Sequence, residues 1–497
     1  MKKLIFILLL ISSNLFAQER FSKLYNSEEN VQDLSSEILV LPDGYLFSTI
    51  SRGGLLPDTF NYAKQFLFIV KTDFNGDTIW TKKYYKHAFG IGATKIVQMS
   101  DSTFLLAGRI LDYVAYRDSN FSRDVFLIKI NYNGDTLWTK TISLGHGDEL
   151  VRKIIKSVDG GYLVFGQVCK QNVNDCDNFL IKLDSNANLI FTKKYSFNST
   201  SFEQPGGIIE LSDSSLYIYG NTQNAIDEEN AYLIKLNKKG ENIWQKRYGM
   251  DGNRRLGLSI HKIQNEILLN FIKTTTISGS AVPQIMRIDT SGNIVWQRIF
   301  GGNKSDVIHN LYIIADSIIL AVGSTDSYDT SEYNAGWIIK ITQMGDTIWQ
   351  KIYNYKNIPS LFDRNSILYE IKPVNNGFIA IGYAYNKNLS TPSQDIWLLK
   401  IDSMGCLYEN CITPTGIDEE EIKKELIIYP NPTNNNFKIS YYKDIISYKL
   451  IDFTGRIIQQ DNYSDQGVNI ELLPSGIYMV QVVLDDDRVM SARLMVK

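Results

Sequence analysis

A short acidic stretch, GHGDE at residues 145–149, sets His146 beside Asp148 and Glu149, the side-chain types that general acid–base chemistry uses. No nucleophile or second base stands near it, and the residues read as an exposed polar loop; His87, His261 and His309 stand alone in the chain and read the same way. Two acidic runs, DEEE at 418–421 and DDD at 485–487, lack the alternating Asp/Asn spacing and distal Glu of a calcium loop. They read as a solvated tether and a hairpin turn. Neither a G-x-S-x-G elbow nor an H-E-x-x-H zinc motif occurs, and no cofactor motif is present. Cys169 and Cys176 share one short loop, and Cys406 and Cys411 share another. Neither pair has C-x-x-C spacing, so two local disulfides are expected rather than zinc.

What must position any chemistry is a repeat. NGDTIW at 75–80 returns as NGDTLW at 133–138 and MGDTIW at 344–349. An aliphatic stretch ending in a basic residue precedes each, and it recurs at Lys71, Lys129, Lys182, Lys235, Arg287, Lys340 and Lys400, roughly every fifty to sixty residues. Within one copy the pattern predicts four short strands, A to D. The third copy places them near 151–157, 162–168, 178–184 and 188–195. A and B are joined by a tight turn, and C and D by an Asp/Asn-x-x-Gly turn such as Asp73–Gly76. In strand D, Trp80, Lys82 and Tyr84 share one face. Lysines there suit an exposed outer edge.

Four antiparallel strands at this period predict an all-β, seven-bladed propeller over 18–411. Residues 21–25, FSKLY, read as an orphan D strand like FTKKY at 191–195, and 366–402 read as an orphan A–B–C set. The last blade is therefore expected to be built from both termini. Residues 1–17, with Lys2, Lys3 and a short apolar core, read as a signal peptide. The expected location is secreted or attached to the outer cell surface. A formal charge of −3 over 497 residues gives no sign of a nucleic-acid partner.

In a blade of this kind the A–B and C–D turns share one rim, and the B–C and D–A loops share the other. The second set is long and unequal. Phe60, Tyr62, Tyr113, Tyr116, Arg117 and Phe121 lie there as a candidate binding rim, because variable loops on a rigid scaffold carry recognition. Non-catalytic binding of a glycan, protein or surface polymer leads the readings. A polysaccharide hydrolase or lyase working in an axial pocket, and a surface-structural protein without a ligand, are the alternatives.

The repeat stops before 412–425, a Pro/Gly-punctuated, acidic linker, and new short strands fill 426–497. Here Tyr429, Pro430, Asn431 and Pro432, then Asp452, Gly455 and Arg456, then Gly476 and Tyr478, and finally Lys497, follow a recognisable order to the extreme C-terminus. The segment resembles the type A C-terminal sorting domain of type IX secretion cargo. That resemblance implies a small β-sandwich read by the outer-membrane secretion machinery. It also implies removal of the tail by a sortase and attachment of the rest to surface lipopolysaccharide.

Overall fold

The computed structural model describes residues 20–28, 31–55, 63–84, 89–100, 102–112, 123–145, 147–170, 175–196, 202–223, 229–249, 254–274, 280–315, 317–328, 334–355, 366–386, 393–408, 426–440, 445–452, 456–464, 467–470, 472–484 and 489–496. The chain divides into two compact units, Met1–Glu409 and Asn410–Lys497.

The first unit is all β among the described residues. Its four-strand pattern is set by Val31–Leu41, Gly44–Leu55, Ala63–Thr72 and Thr78–Tyr84, paired antiparallel in that order. The same meander returns with inner strands Phe89–Ser100, Gly147–Lys156, Phe202–Glu210, Arg254–Ile263 and Asp306–Ile314. The set Ser366–Val374, Gly377–Asn386 and Ser393–Asp402 has three consecutive strands, and Phe21–Tyr25 supplies its outer one. That pairing sets Phe21 against Lys400 and Tyr25 against Ile396.

The C–D turns share one construction, with Ala187 in place of the glycine at one and Thr342 in place of the Asp/Asn at another. In the first, the Gly76 amide donates to the Asp73 carbonyl at 3.2 Å, while Asp73 Oδ1 accepts the Asn75 and Asp77 amides at 2.9 and 2.8 Å. Gly76 closes the turn at φ 77°, which favours glycine. Just after the turn the outgoing strand bulges by one residue, Ile79, which adds to the local twist of the hairpin.

This turn receives the preceding unit. The Tyr25 hydroxyl donates to the Gly76 carbonyl at 2.5 Å, and Tyr84 donates to the Gly134 carbonyl. Tyr195, Tyr248 and Tyr353 reach Gly240, Gly292 and Gly405 at 2.8, 3.1 and 2.7 Å. Two residues earlier along the same strand face, Lys23 and Lys82 pair with Asp77 and Asp135 at 2.6 and 3.1 Å. Four residues before the tyrosine, an aromatic ring covers the turn: a Cβ on Gly134 would stand 2.8 Å from the Trp80 ring. Glycine is thus required at that turn by its backbone angle and by the ring above it. The lysines read from sequence as edge charges therefore also pin one unit to the next.

The basic residue before the turn is buried at Lys71, Lys182, Arg287 and Lys400. Lys71 is 4% exposed and reaches Asp43 in its own A–B turn at 2.6 Å, and Lys182 reaches Asp159 at 2.7 Å. Burying an ammonium is tolerable only with such a partner. Between successive units lie apolar clusters. One holds Leu46 and Leu67 against Phe104 and Phe126, and another holds Leu163 and Phe165 against Ile218 and Tyr232. A further cluster joins Ile379, Ile396 and Leu398 of the set near the C-terminal end of this unit to Ile38, Phe47 and Phe68 of the first.

The second unit carries two sheets. One is Ile427–Tyr429, Asn436–Ser440 and Val468–Asn469; the other is Ile457–Asn462, Ile445–Ile451, Gly476–Leu484 and Val489–Val496. Phe437, Leu450, Val480 and Leu494 form a core contributed by both. Asn431 clamps the final strand, its amide donating to the Arg493 carbonyl at 2.6 Å and its oxygen accepting the Met495 amide at 2.8 Å. Tyr478 donates to the Pro474 carbonyl, and Asp452 accepts the Arg456 amide.

The latch is incomplete at two points: Ile142 replaces tyrosine before the Ala187 turn, and the buried Phe300 replaces it before Gly345. Lys140 compensates at the first by donating to the Ala187 carbonyl at 2.9 Å. Tyr195→Phe is expected to lower unfolding free energy by about 1 kcal/mol, the net worth of one hydrogen bond. Phe300→Tyr should raise it by a similar amount; urea unfolding of the two variants checks both.

Candidate functional site: an axial cavity on the inner strands

Every inner strand carries a bulge at the same level, because its pairing with strand B slips by one residue. The slip falls between Ser35 and Glu37, Ala93 and Lys95, Val151 and Lys153, Pro205 and Gly207, Gly257 and Ser259, Ile308 and Asn310, and Leu368 and Glu370. A bulge re-aims the side chain beside it. Here the residues at and next to the slips, among them Arg152, Lys153, His309, Tyr369 and Glu370, line a cavity of about 450 Å³.

Fixed charges hold the wall. Glu37, 6% exposed, accepts Lys153 Nζ at 2.6 Å and the Ile96 amide at 3.0 Å. Glu370 accepts the Ile38 amide at 2.7 Å and pairs with Lys372 at 2.7 Å. Desolvation raises the Glu37 pKa, but the charges of Lys153 and Lys95 outweigh it and hold the group below the usual carboxylate value. Desolvation pulls Lys95 down to about 8 against the opposing pull of Glu37. Arg152 spans further: its guanidinium donates to the Gly206 carbonyl at 3.3 Å and the Leu258 carbonyl at 3.0 Å, on the next two inner strands.

The two histidines are corrections to the sequence reading. His261 and His309 lie on inner strands Arg254–Ile263 and Asp306–Ile314 and line the cavity, rather than sitting in exposed loops. Desolvation lowers them to about 3 and about 4, helped by Lys153 and Lys372 at the first and by Arg152 at the second, so both are neutral near pH 7. Their Nε2 atoms are buried without a hydrogen-bond partner. The His309 ring lies 4.7 Å from that of Tyr369, which in turn lies 5.8 Å from Tyr383. Desolvation raises the Tyr369 pKa, and its side-chain hydrogen bond with Tyr383 adds to the rise.

The GHGDE stretch also differs from its reading as a loop. Gly147–Lys156 is an inner strand, and Glu149 is wholly buried. Desolvation lifts its carboxyl to about 8 despite the Leu144 amide, which donates at 3.2 Å. His146 lies outside the described residues.

The rim candidates Phe60, Tyr62, Tyr113, Tyr116, Arg117 and Phe121 all lie outside the described residues, as do Cys411, Gly455, Lys497 and the 412–425 linker. Cys169 and Cys176 form a disulfide across facing positions of two strands. Cys406 stands beside Lys351, whose Nζ donates to its sulfur at 3.2 Å. Among the described residues no three His, Cys, Asp or Glu side chains converge as a metal site.

Residues 427–497 match the family of secretion system C-terminal sorting domains. The C-terminal unit is a sorting domain of type IX cargo. Such a domain implies an encounter with the type IX secretion machinery and delivery to the outside of the cell. No curated protein is detectably similar in sequence. Among solved structures, an apocarotenoid oxygenase mutant from Synechocystis is 12% identical over 76% of this chain and 94% of its own, with a TM-score of 0.42. A protein of unknown function from Dyadobacter fermentans is 11% identical over 66% and 95%, with a TM-score of 0.42. A neuraminidase-like protein from A/bat/Guatemala/164/2009 is 11% identical over 67% and 93%, with a TM-score of 0.34.

Glu149 gives the first unit a pH signature. Its folded pKa lies above the ordinary carboxylate value, so stability falls as pH rises from about 4.5 to about 8 and levels off beyond. Glu149→Gln is expected to stabilise the protein by roughly 1–3 kcal/mol at pH 8 and to change little at pH 4. Thermal unfolding at the two pH values measures the difference.

Proposed function

We propose that the first unit closes as a seven-bladed β-propeller and serves, outside the cell, as a non-catalytic binding module delivered by its sorting domain. The residue-range division proposed is 1–17 for a signal peptide, 18–411 for the propeller, 412–425 for the linker and 426–497 for the tail. After tail removal, attachment to surface lipopolysaccharide follows from the cargo class.

The axial cavity carries the binding reading. It collects side chains from several successive units at one level, and its wall is held rigid by Glu37 and Glu370 bonded to neighbouring inner strands. Preformed pockets of a few hundred Å³ with a few converging polar groups are the usual form of a ligand site. The long-loop rim, with Phe60, Tyr62, Tyr113, Tyr116, Arg117 and Phe121, would extend the contact. A second reading, an extracellular polysaccharide hydrolase or lyase, is favoured by the His309–Tyr369 pair facing that cavity.

A glycan array probed with the full chain tests the first reading, and bound glycans are expected. Tyr113→Ala with Tyr116→Ala should weaken that binding at least tenfold; undiminished binding would remove the rim from the site. Steady release of new sugar ends from a bound polysaccharide would replace the first reading with the second.

A further inference from the structure

Three features of the axial cavity converge on one ligand chemistry. Five cations, Lys95, Arg152, Lys153, Lys262 and Lys372, line it, against Glu370 on the wall and Glu37 beneath it. Lys153 is salt-bridged to Glu37 and Lys372 to Glu370. Arg152 is not. Among the described residues its guanidinium donates to the uncharged carbonyls of Gly206 and Leu258, which aim it, and the one carboxylate whose charge it feels, Glu37, is bonded to Lys153 instead. A partly desolvated guanidinium offers a planar fork of donors suited to a carboxylate or a sulfate.

The histidines are the second feature. Each neutral imidazole has one N–H donor and one acceptor nitrogen, and the Nε2 atoms of His261 and His309 face no protein partner although buried. Buried polar atoms left unpaired cost stability, and a turn of either ring that brought Nε2 onto a ligand would recover it. The third is the ring surface: Tyr369 and His309 stand 4.7 Å apart and are backed by Tyr383. The His309 and Tyr369 planes meet at 56°, so the two rings form an angled aromatic wall, and the Tyr369 face beside hydroxyl and imidazole groups suits a sugar ring.

We propose that the cavity binds an acidic sugar unit, its carboxylate or sulfate held by Arg152 and its ring resting against Tyr369 and His309. This deepens the binding reading and rests on it. Arg152 belongs to the bulge of one inner strand, the two carbonyls that steer it to the next two, and Tyr369 to a fourth; the site exists only where those strands surround one axis. The anionic group replaces the carboxylate partner that Arg152 lacks. Neutral sugars would find the ring wall but not that anchor.

The test is calorimetric titration of the full chain with glucuronic acid, glucose 6-sulfate and glucose at matched pH and ionic strength. Binding of at least one acidic sugar, tenfold or more tighter than glucose, is expected. Preference for glucuronic acid over the sulfate assigns the carboxylate as the recognised group, and the reverse assigns the sulfate. Arg152→Gln should reduce acidic-sugar binding at least tenfold while leaving glucose unchanged, and Tyr369→Ala should weaken both. Because Arg152 also bonds two neighbouring strands, inorganic sulfate is added to the unaltered protein as a second measure. Competition with the acidic sugar is expected, and its absence contradicts the assignment. Glucose binding as tightly as glucuronic acid, and lost in Tyr369→Ala, would overturn the anionic assignment while leaving the binding reading standing. Failure of all three sugars to bind would also overturn it, leaving the glycan array to decide the broader reading.

Discussion

A tyrosine hydroxyl at the end of one outer strand donating to the glycine carbonyl of the next unit's turn is the contact on which this architecture depends. The glycine adopts a left-handed angle, which turns its carbonyl outward and leaves no side chain in the way. The ring two turns of the pleat earlier covers that glycine, and the lysine between them meets the turn's polar side chain. Where the trio is complete, it sets one unit at a fixed angle to the next. No unit buries its apolar faces alone. The clusters formed by Leu46 with Phe104, and by Ile381 with Phe47, require two neighbours. Repeating units of this kind gain stability from their interfaces as much as from their interiors.

The trio also accounts for the place of the Phe21–Tyr25 strand. Phe21, Lys23 and Tyr25 reproduce the pattern of Trp80, Lys82 and Tyr84, and they meet the first turn at Gly76 and Asp77. They do so while paired with Ser393–Asp402, so Phe21–Tyr25 touches both that set of strands and the first set of this unit. Glu370 repeats the link nearer the axis by accepting the Ile38 amide. Lys400 adds a third tie through its bond to the Phe74 carbonyl at 2.8 Å.

Much of this was legible in the residues. Strand D alternation placed tryptophan, lysine and tyrosine on one face, and the Asp/Asn-x-x-Gly spacing located the turns, because both signals are local. The partner of that face was not legible, since it lies about fifty residues onward. The axial cavity was invisible for a stronger reason. Arg152, His309 and Tyr369 come from different units, and each is displayed by a bulge that breaks the alternation a sequence reader follows. His261 and His309 accordingly looked like isolated loop residues. Glu149 looked like part of an exposed acidic stretch, although the strand beginning at Gly147 buries it. The sorting tail was readable because its structural needs are short-range: Asn431 must reach Arg493 and Met495, and Tyr478 must reach Pro474.

Closure by the chain's first strand is the central claim, and amide hydrogen exchange over 396–400 tests it most directly. With residues 20–25 present, those amides should exchange as slowly as those of 125–129 in an unbroken set. In a chain lacking residues 20–25 they should exchange at least tenfold faster, with the 125–129 amides little changed. Equal protection of 396–400 with and without residues 20–25 would contradict closure.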